Sequence, residues 1–207
     1  MSTPNNTAPD QNPPPRLGHE LQRHPVRFAV IFEAALGVLA IFLAWLFGLR
    51  PWLDVVVTTG DVLIALGATV AVVAPMMMLM QADWGWVREL NRIVDELMHM
   101  LFRDAGPDAV FVVALLAGIC EELLFRGVIQ HGLTGPLGPA PALVAASLLF
   151  GLAHAVSRAY FITTLLIGLY LGALYQITDN LLVPILVHFL YDWIMLHWFI
   201  ARMRADR

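Results

Sequence analysis

The sequence predicts an all-α fold, a polytopic membrane helix bundle of about six transmembrane helices plus one amphipathic helix at the membrane interface. Two features of the composition favour this class, because 59% of the 207 residues are hydrophobic and only 14% are charged. A soluble domain is close to half apolar and a quarter charged, so the chain departs from that average in both directions. The third observation is a succession of long apolar segments joined by short links, which predicts a single domain.

Six apolar segments are long enough to cross a bilayer as helices, which takes about 20 residues each. They lie at 28–49, 55–80, 107–130, 139–157, 159–177 and 180–200. Together they form one transmembrane domain over residues 26–201. Residues 1–25 are rich in proline and polar side chains, which is typical of a disordered tail, and residues 202–207 form a short basic tail.

The link between the second and third spans, residues 88–103, predicts an amphipathic helix. Its apolar residues recur at helical spacing and form one stripe, whereas charged residues occupy most of the opposite face. The stripe consists of Leu90, Ile93, Val94, Leu97, Met98 and Leu101. With Trp84 and Trp86 at headgroup level, we expect this helix on the membrane surface, and a short soluble cap is the alternative.

Arginine placement predicts how the chain is oriented in the bilayer. All twelve basic residues are arginines, and ten of them lie in the tails and links that six spans place on one side. These ten are Arg16, Arg23, Arg27, Arg88, Arg92, Arg103, Arg158, Arg202, Arg204 and Arg207. Because basic residues concentrate in cytoplasmic segments, we expect both termini in the cytoplasm. Size and tail favour an integral protein of a bacterial inner membrane, surrounded by lipid and without a nucleic-acid partner.

Three ionisable side chains lie within the apolar stretch ICEELLFR. A charged side chain at the centre of a membrane helix costs about 2.5–3.5 kcal/mol, so such groups must be paired, hydrated or protonated. Glu122 and Arg126 are four residues apart and predict an ion pair on one helix face. Glu121 is rotated by about 100° from Glu122, away from Arg126, which makes it a candidate general base or acid. The alternative is that both acids share Arg126 in a structural role.

Two further apolar segments carry histidines. In FGLAH, Phe150 and His154 share one helix face, and a single histidine of this kind is often a hydrogen-bonded core residue. In HFLYD, Asp192 follows His188 by one helical turn, where it can orient the imidazole or form a structural hydrogen bond. At 1.5 Å per residue, Glu121 and His188 lie about 20 Å from the cytoplasmic ends of their spans, whereas His154 lies about 5 Å from its end.

Together these groups predict peptide hydrolysis within the membrane. Glu121 can deprotonate a water molecule that attacks a carbonyl group, while an imidazole stabilises the oxyanion. Alternatively, two histidines and a carboxylate can bind Zn²⁺. Two other classes of protein are compatible with the pattern. One is a proton-coupled carrier, since buried acids and histidines also mark ion pathways, and the other is a non-catalytic immunity or scaffold protein that keeps the motifs for folding.

The three motifs EELLFR, FGLAH and HFLYD resemble the EExxxR, FxxxH and HxxxN/D pattern of the CPBP family. That family includes the CAAX prenyl proteases and the Abi or bacteriocin-immunity proteins. The resemblance covers roughly residues 107–195 and implies an intramembrane endopeptidase, of glutamic or metallo type, that acts on a membrane-associated or lipidated peptide or protein. It also implies that Glu121 activates water, that His154, His188 and Asp192 complete the site, and that Glu122 and Arg126 hold the frame.

The chain departs from the prenyl proteases at one position, where Asp192 replaces an asparagine. An asparagine can donate a hydrogen bond to an oxyanion, but an ionised aspartate cannot, so this residue is not expected to stabilise an oxyanion. The cofactor expectation therefore has two forms. Either no cofactor is required, in a metal-free glutamate mechanism, or Zn²⁺ is bound by His154, His188 and Glu121.

Overall fold

The computed structural model describes residues 24–103 and 105–205, and throughout these ranges the fold is helical without a β-strand. Its elements are α1 (Pro25–Phe47), a 3₁₀-helix (Pro51–Asp54), α2 (Thr59–Leu79), α3 (Gly85–Phe102), α4 (Pro107–Glu122), a π-helical segment (Leu123–Gln130), α5 (His131–Leu137), α6 (Pro139–Ala153), α7 (Arg158–Thr178) and α8 (Leu182–Ala205). The all-α fold class predicted from the sequence is thus confirmed. Residues 1–23 of the predicted tail lie outside the described residues.

Four of these helices, α1, α2, α7 and α8, are each long and apolar enough to cross a membrane. They correspond to the first, second, fifth and sixth predicted spans. The third predicted span is divided between α4 and the π-helical segment that continues it. The fourth is α6, whose 15 residues end at Ala153 instead of the predicted residue 157.

The bundle is organised around α8, which packs against α2, α3, α4 and α7. Its approach to α4 is close because Gly118 has no side chain. A Cβ atom at Gly118 would lie 2.9 Å from the backbone nitrogen of Phe189 and 3.0 Å from its Cα. Small residues allow such backbone contact between membrane helices. This contact brings His188, the neighbour of Phe189, against the end of α4 where the two glutamates lie.

The amphipathic helix predicted between the second and third spans is α3. Its apolar face is buried against the bundle, with Leu90 only 1% exposed. Leu90, Val94 and Met98 belong to one hydrophobic cluster with Met195 and Phe199 of α8. The apolar stripe that the sequence predicted on the membrane surface therefore packs against the protein, and the charged face points away from the core.

The early end of α6 corrects the expected depth of His154. The chain leaves α6 at Ala153 and enters α7 at Arg158, so the connection between them is short. His154 lies beside Glu121, which is 14 residues into α4 and therefore about 20 Å from its start. The α6–α7 connection is thus recessed to the level of Glu121 instead of reaching the end of α4. The sequence estimate of about 5 Å was wrong because it assumed that the fourth span ends at the membrane surface.

The end of α8 extends through most of the segment predicted as a basic tail, as far as Ala205. Arg202 lies over the ring of Trp198, with its Cζ atom 5.0 Å from the ring centroid. Its Nη1 atom donates to Oδ1 of Asn91 at 3.3 Å. This hydrogen bond connects the last turns of α8 to α3.

The contact at Gly118 can be tested by substitution with alanine. We expect Gly118→Ala to lower the free energy of unfolding by about 1–3 kcal/mol, because the added methyl group would overlap the Phe189 backbone. The matched control is Gly67→Ala in α2, where a Cβ atom meets no neighbour within 4 Å. That change is expected to be neutral or to stabilise the helix by up to about 1 kcal/mol. Thermal denaturation of purified protein in detergent measures both, and equal stabilities would contradict the close approach.

Candidate active site

The three sequence motifs meet in the interior of the bundle. EELLFR spans the end of α4 and the start of the π-helical segment, FGLAH ends α6, and HFLYD lies in the middle of α8. The change from α to π geometry begins directly after Glu122. Such π segments are uncommon and often occur at functional sites.

The carboxylate of Glu122 binds two partners at the centre of the bundle. Its Oε1 atom accepts a hydrogen bond from Nη1 of Arg126 at 2.8 Å and lies 2.7 Å from Nδ1 of His188. Arg126 also donates from Nη2 to the carbonyl oxygen of Gly168 on α7 at 2.8 Å. Glu122 and Arg126 are 0% and 1% exposed, so one buried ion pair joins α4, α7 and α8.

The ring of Phe150 lies in contact with three groups of this site. The guanidinium of Arg126 lies over the ring, 4.7 Å from its centroid. The ring centroids of His154 and His188 are 4.6 Å and 6.0 Å away. Phe150 is itself buried and packs edge to face with Phe125. It therefore limits the positions of both imidazoles.

Glu121 lies next to this ion pair but faces a different direction. Its Oε2 atom is buried and accepts no hydrogen bond from the part of the chain that the structure describes. Nε2 of His154 lies 3.6 Å away. Nδ1 of His154 is 2.8 Å from the carbonyl oxygen of Phe150, and since a carbonyl oxygen can only accept, Nδ1 carries the hydrogen. The nitrogen directed at Glu121 is therefore the one free to exchange a proton.

His188 lies between two carboxylates. Nδ1 donates to Glu122, and Nε2 is 3.5 Å from Oδ2 of Asp192 on the same face of α8. The imidazole orientation is thus set by Glu122, a residue of another helix, as well as by the i, i+4 partner that the sequence indicates. His188 is buried, whereas His154 and Asp192 retain partial exposure.

Glu121, His154, His188 and Asp192 all line one cavity of about 150 Å³. The remaining wall is largely apolar and comes from α2, α3, α6, α7 and α8. It consists of Met80, Leu90, Val94, Met98, Phe150, Tyr160, Thr163, Thr164, Ile167, Tyr191, Met195, Leu196 and Phe199. The cavity therefore combines one unpartnered carboxylate and two imidazoles with an apolar surface.

Sequence reasoning missed several residues near this site. Tyr160 and Tyr191 line the cavity, but single tyrosines in apolar helices carry no recognisable signal. Glu33 of α1 is buried, and its Oε2 atom has no hydrogen-bond partner among the described residues. Glu33 lies one turn from Gly37. A Cβ atom at Gly37 would lie 2.9 Å from Sγ of Cys120, the residue before Glu121. The spacing of Glu33 and Gly37 on one helix face was the available signal.

The side chains present do not fit a zinc site. Within residues 24–103 and 105–205, no group of three His, Cys, Asp or Glu side chains could hold a metal ion. Zinc requires its nitrogen and oxygen ligands about 2.0–2.2 Å from one point. The alternative in which His154, His188 and Glu121 bind Zn²⁺ thus lacks structural support.

The buried ion pair predicts a large difference between two arginine substitutions. We expect Arg126→Ala to destabilise the protein by about 3–5 kcal/mol, because it leaves the buried Glu122 without its main partner. The control is Arg92→Ala in α3, which breaks the Arg92–Glu96 pair, also four residues apart but 62% and 64% exposed. Its cost is expected to stay within about 0.5 kcal/mol. Denaturation in detergent compares the stabilities of the two variants. Similar losses of stability would refute the structural importance of the Arg126–Glu122 pair.

Comparison with known proteins identifies the segment that carries these motifs. Residues 107–194 match the family model described as type II CAAX prenyl endopeptidase Rce1-like. Among curated proteins, the uncharacterized protein YpbD of Bacillus subtilis (strain 168) is 37% identical over 89 residues. The matched region is 42% of this chain and 42% of YpbD, so the chain spans less than half the length of that relative. A search of solved structures finds no match.

The matched segment begins at the first residue of α4 and ends within α8, so it contains Glu121, Arg126, His154, His188 and Asp192. The family resemblance predicted from the spacing of the three motifs is therefore confirmed. Residues 107–194 are thus similar to the Rce1-like type II CAAX prenyl endopeptidase family.

Proposed function

We propose that this protein is an intramembrane endopeptidase in which Glu121 activates a water molecule for attack on a peptide bond. The observation that carries the proposal is the buried Glu121 carboxylate, which has an oxygen without a protein partner and lines a cavity together with both imidazoles. Burial of an unpartnered carboxylate is costly, and intramembrane ionisable groups mark functional sites by default. The family of the segment 107–194 supports the same reaction class.

In the proposed reaction, a water molecule lies between Glu121 and Nε2 of His154. Glu121 takes one proton from this water as the oxygen adds to the carbonyl carbon of the substrate. Nδ1 of His154 stays bonded to the Phe150 carbonyl, which keeps Nε2 directed at the reacting water. When the C–N bond breaks, the proton held by Glu121 passes to the leaving amine. The products are a carboxylic acid and an amine, and no group of the protein is consumed.

His188 is the proposed donor to the oxyanion. Glu122 accepts from Nδ1, and Asp192 is only 3.5 Å from Nε2, so the ring can carry a proton on each nitrogen. The Nε2–H group can then turn from Asp192 to the developing negative charge. Asp192 orients the ring in this mechanism and does not itself donate to the oxyanion, because an ionised carboxylate has no proton to give.

The proposed substrate is a membrane-associated or lipidated peptide or protein. The cavity wall is mostly methionine, leucine, isoleucine, valine and aromatic side chains, which suits an apolar substrate segment. The distribution of arginines supports cytoplasmic termini and cleavage on the side of the membrane where α3 lies.

The central test is the substitution Glu121→Gln, which preserves size but removes the base. We expect cleavage of a quenched fluorogenic lipidated peptide in proteoliposomes to fall by at least about 100-fold. The matched control is Glu96→Gln on the exposed face of α3, which should retain the wild-type rate. Because Glu121 does not bind Arg126, the variant is expected to keep its thermal stability. Cleavage by Glu121→Gln at the wild-type rate would refute the mechanism. Equal protection of cells against a bacteriocin by the wild type and by Glu121→Gln would favour the non-catalytic immunity or scaffold alternative.

The arrangement of donor atoms also predicts the response to metal removal. We expect 1,10-phenanthroline and EDTA to leave the initial cleavage rate within about twofold of the untreated protein, because the side chains do not converge on a metal position. Elemental analysis of the active preparation should find zinc far below one atom per chain. Loss of activity on chelation, followed by recovery on adding zinc, would overturn the metal-free mechanism.

A further inference from the structure

The cavity is too small for the substrate that the proposed function requires. Its volume is about 150 Å³, whereas sites for drug-sized ligands usually measure about 300–1,000 Å³. A scissile peptide bond with a side chain on each side needs a space in that larger range. Binding of such a peptide at Glu121 would therefore require the cavity to widen.

The helix α3 differs from the other walls of the cavity. The remaining wall residues belong to spans or to the end of α2, whereas α3 has a polar outer face with exposed charges at Arg92 and Glu96. Displacing a span would disturb contacts with lipid and with several helices. Displacing α3 would separate the apolar contacts of its buried face, and its polar face would remain in contact with water. The buried face consists of Val87, Leu90, Ile93, Val94, Met98 and Phe102.

The connections of α3 also suit a movement of the whole helix. Gly85 is the first residue of α3 and Gly106 directly precedes α4, four residues after the end of α3; a Cβ atom at either position would meet no neighbour within 4 Å. Hinges are commonly a few terminal or loop residues of this kind. Polar contacts near the hinge and on α8 hold the observed position, since Asn91 donates to the carbonyl oxygen of Met80 at 2.9 Å and accepts from Arg202 at 3.3 Å.

We propose that α3 is a lid over the catalytic cavity, and that it moves away from α8 to admit the substrate. This proposal rests on the proposed peptidase function for the identity of the entering molecule. It adds a gating element that lies outside the matched segment 107–194. Leu90, Val94 and Met98 of α3 form part of the cavity wall, so movement of α3 would change access to the site.

A reversible crosslink between α3 and α8 tests the lid directly. In the variant Asn91→Cys/Arg202→Cys, a bis-methanethiosulfonate crosslinker that spans the length of the lost arginine side chain is expected to join the two helices and to lower peptide cleavage at least tenfold, and reduction should restore it. The single variants Asn91→Cys and Arg202→Cys, treated in the same way, should keep their activity, since the buried Cys120 has no partner in them. Full activity of the crosslinked protein would overturn the lid. Failure of this crosslinker to join the two cysteines would also overturn it, because α3 and α8 would then be farther apart than in the closed position.

A second measurement follows access to the cavity without any substrate. The variant Thr163→Cys places a thiol in the cavity wall, and its rate of reaction with a water-soluble maleimide reports opening. Adding Leu90→Ala, which weakens the contact between α3 and α8, should raise that rate several-fold. Adding Trp86→Ala, on the exposed side of α3, should not, and neither should Ile167→Ala, which enlarges the cavity from the α7 wall instead. If Cys120, which is buried, is labelled in a Leu90→Ala variant that lacks Thr163→Cys, the substitution has unfolded the protein. The crosslinking experiment then decides whether α3 is a lid.

The two proposals fail in different ways. If Glu121→Gln cleaves like the wild type, the proposed peptidase mechanism is wrong, while maleimide labelling still measures the movement of α3. If Glu121→Gln is inactive and the crosslinked variant cleaves normally, the mechanism stands and the lid is wrong. An unchanged labelling rate in the Leu90→Ala variant would likewise refute the lid.

Discussion

The fold depends on a carboxylate that has no access to water. Glu122 is fully buried, and its charge is balanced by Arg126 on the following helical turn, while His188 on α8 also hydrogen-bonds to it. Arg126 extends the connection to α7 through the Gly168 carbonyl. A buried ion pair does not by itself add much stability, but loss of one partner leaves an uncompensated charge in a medium of low dielectric constant. The positions of three helices are therefore coupled to one pair of charges.

This arrangement explains how two adjacent glutamates can differ in chemistry. Glu122 is committed to Arg126 and His188, and Glu121 is rotated by about 100° toward the cavity and His154. Glu122 supports Glu121 indirectly, because Glu122 orients His188, which lines the same cavity as Glu121. Gly118 contributes from one turn earlier, since its lack of a side chain permits the close approach of α8. A short segment of α4 thus contains Gly118, which permits the close helix contact, Glu122, which forms the buried ion pair, and Glu121, the proposed base.

The family resemblance and the cavity do not cover the same residues. The polar groups all lie within the matched segment 107–194, whereas α3, the end of α2 and the last turns of α8 complete the apolar wall from outside it. Parts of the chain without motifs therefore set the size and accessibility of the space in which the motif residues act. The short helix α6 also contributes, because its early end places His154 beside Glu121.

The sequence by itself determined the helical class, the amphipathic character of α3 and the face shared by Glu122 and Arg126, because helical periodicity and side-chain hydropathy are local properties. It also indicated, through motif spacing, which polar side chains belong together. Only the tertiary structure decided that His188 binds Glu122, that Phe150 lies beneath both imidazoles, and that Tyr160 and Tyr191 line the cavity. These contacts join residues on different helices, and the early end of α6 changed their relative depth. Where one helix lies against another depends on packing of the whole bundle, which no local pattern specifies.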